Sequence, residues 1–402
     1  RLRALARKRR GARHTDLWQG LQLVISGLGD ERGLPELGLP GLGGIFNHEP
    51  IDVVIGQRLP NEALLTAIRR LSVVQPKNSP PRIVDYRNLG AEELGSIYES
   101  LLELVPRHDR LGRIFTLENL AGNDRKTSGS YYTPTSLIDL VLDQALDPLL
   151  DEAEKAKDPE QALLAMTICD PACGSGHFLV AAARRIASRL ATVRTGELDP
   201  TPADVHEALH DVVARCIYGI DLNPMAAELA KVSLWLEAMQ EGRPLSFLDA
   251  HIKVGNALLG VTPRLLEEGL PDAAFVALTG DDKAWTSSLK KRNRAEREQA
   301  DQGELFTTGG LHATNTDLAT KVAKVDTGAA PSLADAHQQA QRFRDLQTDP
   351  DYARARQVAD AWCAAFVQPK RQGDPAITHS TLQALQDDPG SVDPAIIATI
   401  ER

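Results

Sequence analysis

Cysteine, long apolar runs and surplus positive charge are all scarce in this chain, and each shortage removes a class of protein. Its 402 residues include four cysteines, Cys169, Cys173, Cys216 and Cys363. They show no metal-ligand pairing, and Cys169 and Cys173 are too loosely spaced for a redox dithiol, so no metal site is expected. Three of the four lie in or beside apolar segments, where free cysteine acts as a small hydrophobe, which points to a reducing cytoplasm. No apolar run approaches the length of a membrane span and no secretory signal is evident, so no membrane partner is expected. The formal charge of −10, from 55 acidic and 45 basic residues, excludes a protein that coats nucleic acid, whose affinity comes mainly from phosphate neutralisation. Any DNA groove must therefore be a local basic patch. No acidic-acidic-lysine constellation suggests a nuclease.

What is present centres on Thr167-Ile168-Cys169-Asp170-Pro171-Ala172-Cys173-Gly174-Ser175-Gly176-His177-Phe178-Leu179. An apolar approach, a tight glycine loop and the start of an amphipathic helix follow one another without a spacer. Gly174 and Gly176 permit backbone conformations and close approaches that a Cβ forbids. The shape suits a nucleotide-like cofactor, whose polar groups meet the loop and the first helical amides.

A glycine loop alone is weak, and its neighbours decide what it holds. About 45 residues on, Cys216-Ile217-Tyr218-Gly219-Ile220 forms a second apolar run ending in Asp221-Leu222-Asn223-Pro224. Asn223 is a good N-cap and Pro224 a good first helical residue. Ligands of open parallel sheets sit beyond the carboxyl ends of the strands, where an acid can accept both hydroxyls of a ribose; Asp221 is the candidate, with Glu228 the next acid to consider. A third run, Ile252-Lys253-Val254, leads into Gly255-Asn256-Ala257, which would bring Asn256 near a purine edge. Upstream, Gly129-Ser130-Tyr131-Tyr132-Thr133-Pro134 sets an aromatic pair before a helix start.

Together these stretches resemble the gamma-class adenine-N6 DNA methyltransferases of the large restriction-modification type. Gly129 to Pro134 is similar to that family's leading aromatic motif, Asp170 to Gly176 to its glycine loop, Asp221 to its ribose acid and Gly255-Asn256 to its adenine-edge motif. The resemblance covers roughly residues 85 to 260. It implies a Rossmann-like α/β core with a partial sheet and S-adenosyl-L-methionine as cofactor, held by Tyr131, Tyr132, Thr133, Pro134, Asp170, Pro171, Ala172, Gly174, Gly176, Asp221, Leu222, Asn256 and Ala257. It further implies double-stranded DNA as substrate, with base flipping to expose the adenine amine, defence-system subunits as further partners and a bacterial cytoplasmic location.

One departure qualifies the match. The family's catalytic motif, a polar residue followed by Pro-Pro and an aromatic, does not occur after residue 260; the nearest string, Asn78-Ser79-Pro80-Pro81-Arg82, lies before the glycine loop and reads better as a proline turn. The motif is expected beyond Arg402, and this chain alone is expected to be inactive. A non-catalytic S-adenosyl-L-methionine-binding subunit and an RNA or protein methyltransferase remain alternatives. A dinucleotide oxidoreductase fits poorly, since its ribose acid is expected about 20 residues after the loop.

The expected organisation is a mainly helical region over 1–120, with 85–120 helical, then the cofactor-binding core over 121–262, and a charged linker with a helical insertion over 263–402. Both ends read as cut from something longer. Trp362 and Phe366 are expected to pack between helices, and the basic run from Lys290 to Arg297 to form a solvated helix face.

Overall fold

The computed structural model describes residues 2–30, 32–39, 41–42, 46, 56–75, 79–86, 93, 95, 97, 104–109, 112, 114–119, 133–240, 248–303, 315–325, 330 and 332–401. They form two compact units, Arg1–Gly255 with Thr327–Ala340, and Asn256–Asp326 with Gln341–Arg402.

The first unit is built on a three-stranded parallel sheet of β1 (Ile168–Asp170), β2 (Ile217–Asp221) and β3 (Ile252–Val254), with β2 in the centre. Ile168 is opposite Ile217, Asp170 opposite Gly219, and Asp221 opposite Val254. Parallel strands need crossovers, and helices supply them. Between β1 and β2 run α1 (His177–Thr195) and α2 (Pro202–Arg215); between β2 and β3 runs α3 (Pro224–Ala238). Each start is written locally. Thr201 and Asp204 form a reciprocal capping box ahead of α2, and the Asn223 side chain accepts from the Met225 amide ahead of α3.

The core of this unit is the apolar stripe of α1. Leu179, Val180, Ile186 and Leu190 are buried with Ala182, Ala183, Ala187 and Ala191, and burying each larger side chain contributes about 1.5–3 kcal/mol. The four arginines of α1 are all paired with carboxylates. Arg184 pairs with Glu237, Arg185 with Asp143 and Asp147, Arg189 with Asp151 and Glu154, and Arg194 with Glu160 and Asp211.

The helical expectation for 85–120 is corrected in part. Leu104–Asp109 and Ile114–Asn119 form an antiparallel ladder, with Asp109 opposite Ile114. Pro106 would break a helix interior, while Ile114, Phe115 and Thr116 favour extended backbone. Glu93, Gly95 and Ile97 are helical.

The second unit is helical. Its core gathers Leu266, Leu270, Phe275, Leu289, Val358, Trp362, Ile377, Leu382 and Leu385. The Trp362 and Phe366 rings pack 4.7 Å apart, and the indole donates to the Gly269 carbonyl at 3.3 Å. Buried Asn293, on α4 (Lys283–Gly303), joins two segments: its amide donates to the Leu270 carbonyl and its carbonyl accepts from the His379 amide, both at 2.8 Å. Four cations of the basic run of α4 share two carboxylates, Lys290, Arg294 and Arg297 meeting Asp272 and Arg292 meeting Glu296.

Candidate functional site

β1 ends at Asp170, and the chain turns through Pro171 to Gly176 into α1. The turn is held at three points. The Asp170 carboxylate accepts from the Ala172 amide at 2.9 Å, the Cys173 amide donates to the Ile220 carbonyl at 2.9 Å, and the Gly176 amide donates to the Cys173 carbonyl at 2.8 Å.

Asp221, at the end of the neighbouring central strand, reaches into the loop. One carboxylate oxygen accepts from the Gly174 amide at 2.8 Å and the other from the Asn223 amide at 2.8 Å. The acid is therefore tied to the glycine loop on one side and to the start of α3 on the other. A carboxylate oxygen has more than one acceptor position, so two fixed backbone donors orient Asp221 and leave it able to accept from a diol. Leu222 and Met225 beside it are largely exposed and form an apolar border.

The two glycines of the loop do different work. Gly174 has a φ of +54°, and a Cβ there would point into open space; Gly176 has a φ of +82°, and its Cβ would stand 3.1 Å from the Cα and Cβ of Ala230 on α3. The expectation that both glycines clear room for a ligand is thus refined: Gly176 lets α1 and α3 pack, and Gly174 supplies the left-handed turn on the open side. Sequence reading missed a third glycine. A Cβ on Gly219, in the middle of β2, would lie 2.9 Å from Leu179 and 3.1 Å from Cys173. Glycine inside an apolar strand is the signal that marks such a close approach.

Charge reinforces the picture. Burial raises the Asp170 carboxyl above the usual range, opposed by the Ala172 amide and assisted by the nearby Asp221 charge. Burial, with Asp221 and Asp170, pushes the Cys173 thiol up to about 12. Cys169 is also raised, by burial and Asp170. Thiols held neutral in this way are poor nucleophiles and poor metal ligands.

The remaining expected residues fall in several places. Tyr131 and Tyr132 lie outside the described residues. Thr133 and Pro134 are exposed, and the Pro134 carbonyl accepts from Leu137 at the start of helix Thr135–Ala145, which packs on α1. Among the described residues no hydrogen bond joins them to the loop. Asn256 and Ala257 open the second unit, where the Asn256 side chain accepts from the Leu258 amide at 3.0 Å.

A parallel sheet with a glycine loop after one strand and an anchored acid at the end of the next defines the class of α/β units that hold nucleotide-like cofactors at the carboxyl edge. Residues 106–259 match the model of one family in particular, N-6 DNA Methylase. The chain is similar to the adenine-specific methyltransferase PglX of Streptomyces coelicolor, at 25% identity over 195 residues, 48% of this chain and 15% of that protein. It is similar to the putative type II restriction enzyme and methyltransferase RM.MjaORFECS2P of Methanocaldococcus jannaschii, at 24% identity over 43% of this chain and 17% of the relative. It also matches the type II restriction enzyme and methyltransferase RM.Eco57I of Escherichia coli, at 24% identity over 56% of this chain and 23% of the relative. The chain thus spans between 15% and 23% of the curated relatives it matches. Among solved structures, the type IIL restriction-modification enzyme MmeI in complex with DNA aligns with a TM-score of 0.41 and 20% identity, covering 63% of this chain and 33% of that one.

Proposed function

We propose that this chain is the cofactor-binding part of an adenine-N6 DNA methyltransferase of a restriction-modification or phage-defence system, acting in the bacterial cytoplasm on double-stranded DNA. Within it, residues 121–262 are the Rossmann-like core that binds S-adenosyl-L-methionine. The observation that carries the reading is the Asp221 carboxylate, fixed by the Gly174 and Asn223 amides in a segment that matches the N-6 DNA methylase family.

Bound S-adenosyl-L-methionine supplies a methyl group activated by its sulfonium. The residues present fit such a ligand. Asp221 offers oriented acceptors for the ribose hydroxyls, and exposed Leu222 offers an apolar face for the base. The open side of Gly174 leaves the methionine end access to loop backbone. Thr133 and Pro134 help hold its carboxylate, and Asn256 and Ala257 meet the adenine; the same reading assigns Tyr131 and Tyr132 to the cofactor. Asp170, Pro171 and Ala172 shape the loop floor.

No polar-Pro-Pro-aromatic string follows residue 260, which favours a second reading, a cofactor-binding subunit that carries out no transfer by itself. Both readings require cofactor binding. Calorimetry and thermal shift with S-adenosylhomocysteine are expected to show saturable binding and a raised melting temperature. Folded protein that gives neither heat nor shift at millimolar ligand would refute both.

A further inference from the structure

Between Leu2 and His14 stand six basic residues, Arg3, Arg7, Lys8, Arg9, Arg10 and Arg13, and no acidic one, in a chain whose net charge is −10. The stretch is fixed to a scaffold. Helix Leu2–Lys8 packs on helix Asn61–Ser72, from which Arg69 donates to the carbonyls of Ala6 and Arg9, both at 2.6 Å. The chain then turns at Gly11, with a φ of +89°, where a Cβ would lie 2.7 Å from the backbone of Asn61 and Glu62. Beyond the turn, the carbonyls of Ala12 and His14 accept from the Glu62 and Asn61 amides at 3.1 and 2.7 Å. Arg69 is consumed in holding this segment, and Arg3 donates to the Val84 carbonyl.

What the clamp leaves outward is charge. Arg7, Lys8, Arg9, Arg10, Arg13 and, on the scaffold helix, Arg70 are all exposed. None of them forms an ion pair among the described residues. The arginines of α1 and α4 provide the contrast, since Arg184, Arg185, Arg189, Arg194, Arg292, Arg294 and Arg297 each meet a carboxylate. The nearby exposed acids Asp16 and Glu62 form no ion pair with them among the described residues; unpaired like charges held together repel, and a polyanion relieves that repulsion while releasing its own counterions. An interfacial membrane helix would carry large apolar side chains on an exposed face, and residues 2–14 expose none.

We propose that Arg7, Lys8, Arg9, Arg10 and Arg13, with Arg70, form a surface that contacts the backbone phosphates of double-stranded DNA without reading its sequence. The choice of DNA rests on the methylase reading above. Arginine suits the role because its guanidinium forks match phosphate oxygens. Contacts of this kind set position and orientation on a duplex and leave sequence to be read elsewhere.

The test uses the whole chain and a fluorescent duplex of random sequence, with anisotropy followed across a salt series. In one variant Arg7, Lys8, Arg10 and Arg13 become Gln, none of whose native side chains makes a hydrogen bond among the described residues. In a charge-matched control Lys155, Lys157, Lys283 and Lys291, all exposed, become Gln. The patch variant is expected to lose about tenfold or more in duplex affinity at low salt, and the slope of log affinity against log salt to flatten by ~0.9 for each phosphate contact removed. Its melting temperature and its response to S-adenosylhomocysteine should stay as in the native chain. Duplex binding that is unchanged in the patch variant, or equally weakened in the control, overturns the proposal. So does a patch variant that loses binding to phosphatidylserine vesicles while keeping its duplex affinity. Absence of S-adenosylhomocysteine binding in all three proteins counts against the methylase reading, and the duplex measurement still reports on the patch.

Discussion

Asp221 holds the Gly174 amide and, in the proposed function, accepts from the ribose. Asp221→Ala removes both roles at once. Hydrogen bonds to charged groups contribute ~1.5–3 kcal/mol, so cofactor affinity is expected to fall on the order of ten- to a hundredfold, and the Gly174 amide to exchange faster with solvent. Calorimetry and hydrogen exchange measure the two separately. Unchanged affinity would move the ribose elsewhere; Glu228, the next acid along the chain, is already paired with Lys231 at 2.6 Å. At Gly176, valine meets both a left-handed backbone and Ala230. Strain of ~1–2 kcal/mol and overpacking of ~1–3 kcal/mol should lower stability strongly in a denaturant melt. Gly174→Ala meets only the first cost, so it should fold and report on binding, and a large loss of stability there would contradict the open side of the loop. Asp170 gives a pH signature. Its folded pKa lies above the unfolded one, so the folded chain holds the proton more tightly, and ionisation costs stability once pH rises past the unfolded value. Asp170→Asn is therefore expected to raise the melting temperature at neutral pH, with the gain vanishing below about pH 4, where the carboxyl is protonated in both states. A gain that persists in acid would assign the effect to packing.

At the scale of elements, the helices around the sheet start where their sequences mark a start. Asn223-Pro224 carries both a side-chain acceptor and a residue preset for the first turn, and it was legible for that reason; Thr201-Pro202 has the same pair ahead of α2. The ladder of Leu104–Asp109 with Ile114–Asn119 was not, because pairing between strands is a tertiary event that local propensity only permits. The bond network around Asn293 was equally hidden, since its partners Leu270 and His379 lie far apart in the chain. Asn293→Ala leaves a buried carbonyl and a buried amide unpaired, at about 1–3 kcal/mol each. Thermal or denaturant unfolding should show a marked loss of stability. An unchanged melt would show that these two bonds contribute little.

For the 402 residues taken together, the proposed function predicts cofactor binding without methyl transfer. Gripping an adenine amine needs a polar side chain and a stacking ring in the family's Pro-Pro motif, and no such string follows residue 260. Tritiated-methyl transfer to adenine-containing duplex, compared between this chain and one extended through a motif of that type, should be measurable only in the longer protein. Robust transfer by the 402-residue chain would redirect attention to Asn78 to Pro81, of which Asn78 lies outside the described residues.

Sequence alone determined what local chemistry can express: the strand-loop-helix at Asp170 to Gly176, the strand-end acid, the helix caps and the family they resemble. A glycine before a helix, or an acid after an apolar run, announces itself within a few residues. Tertiary structure decided which partners those residues meet. Asp221 bonding to Gly174, Gly176 yielding space to Ala230, Gly219 to Leu179, and Arg69 clamping the basic stretch while its neighbours stay exposed all join positions well separated in the chain. Such pairings depend on how the elements pack against one another, a property of the folded chain that no local pattern encodes.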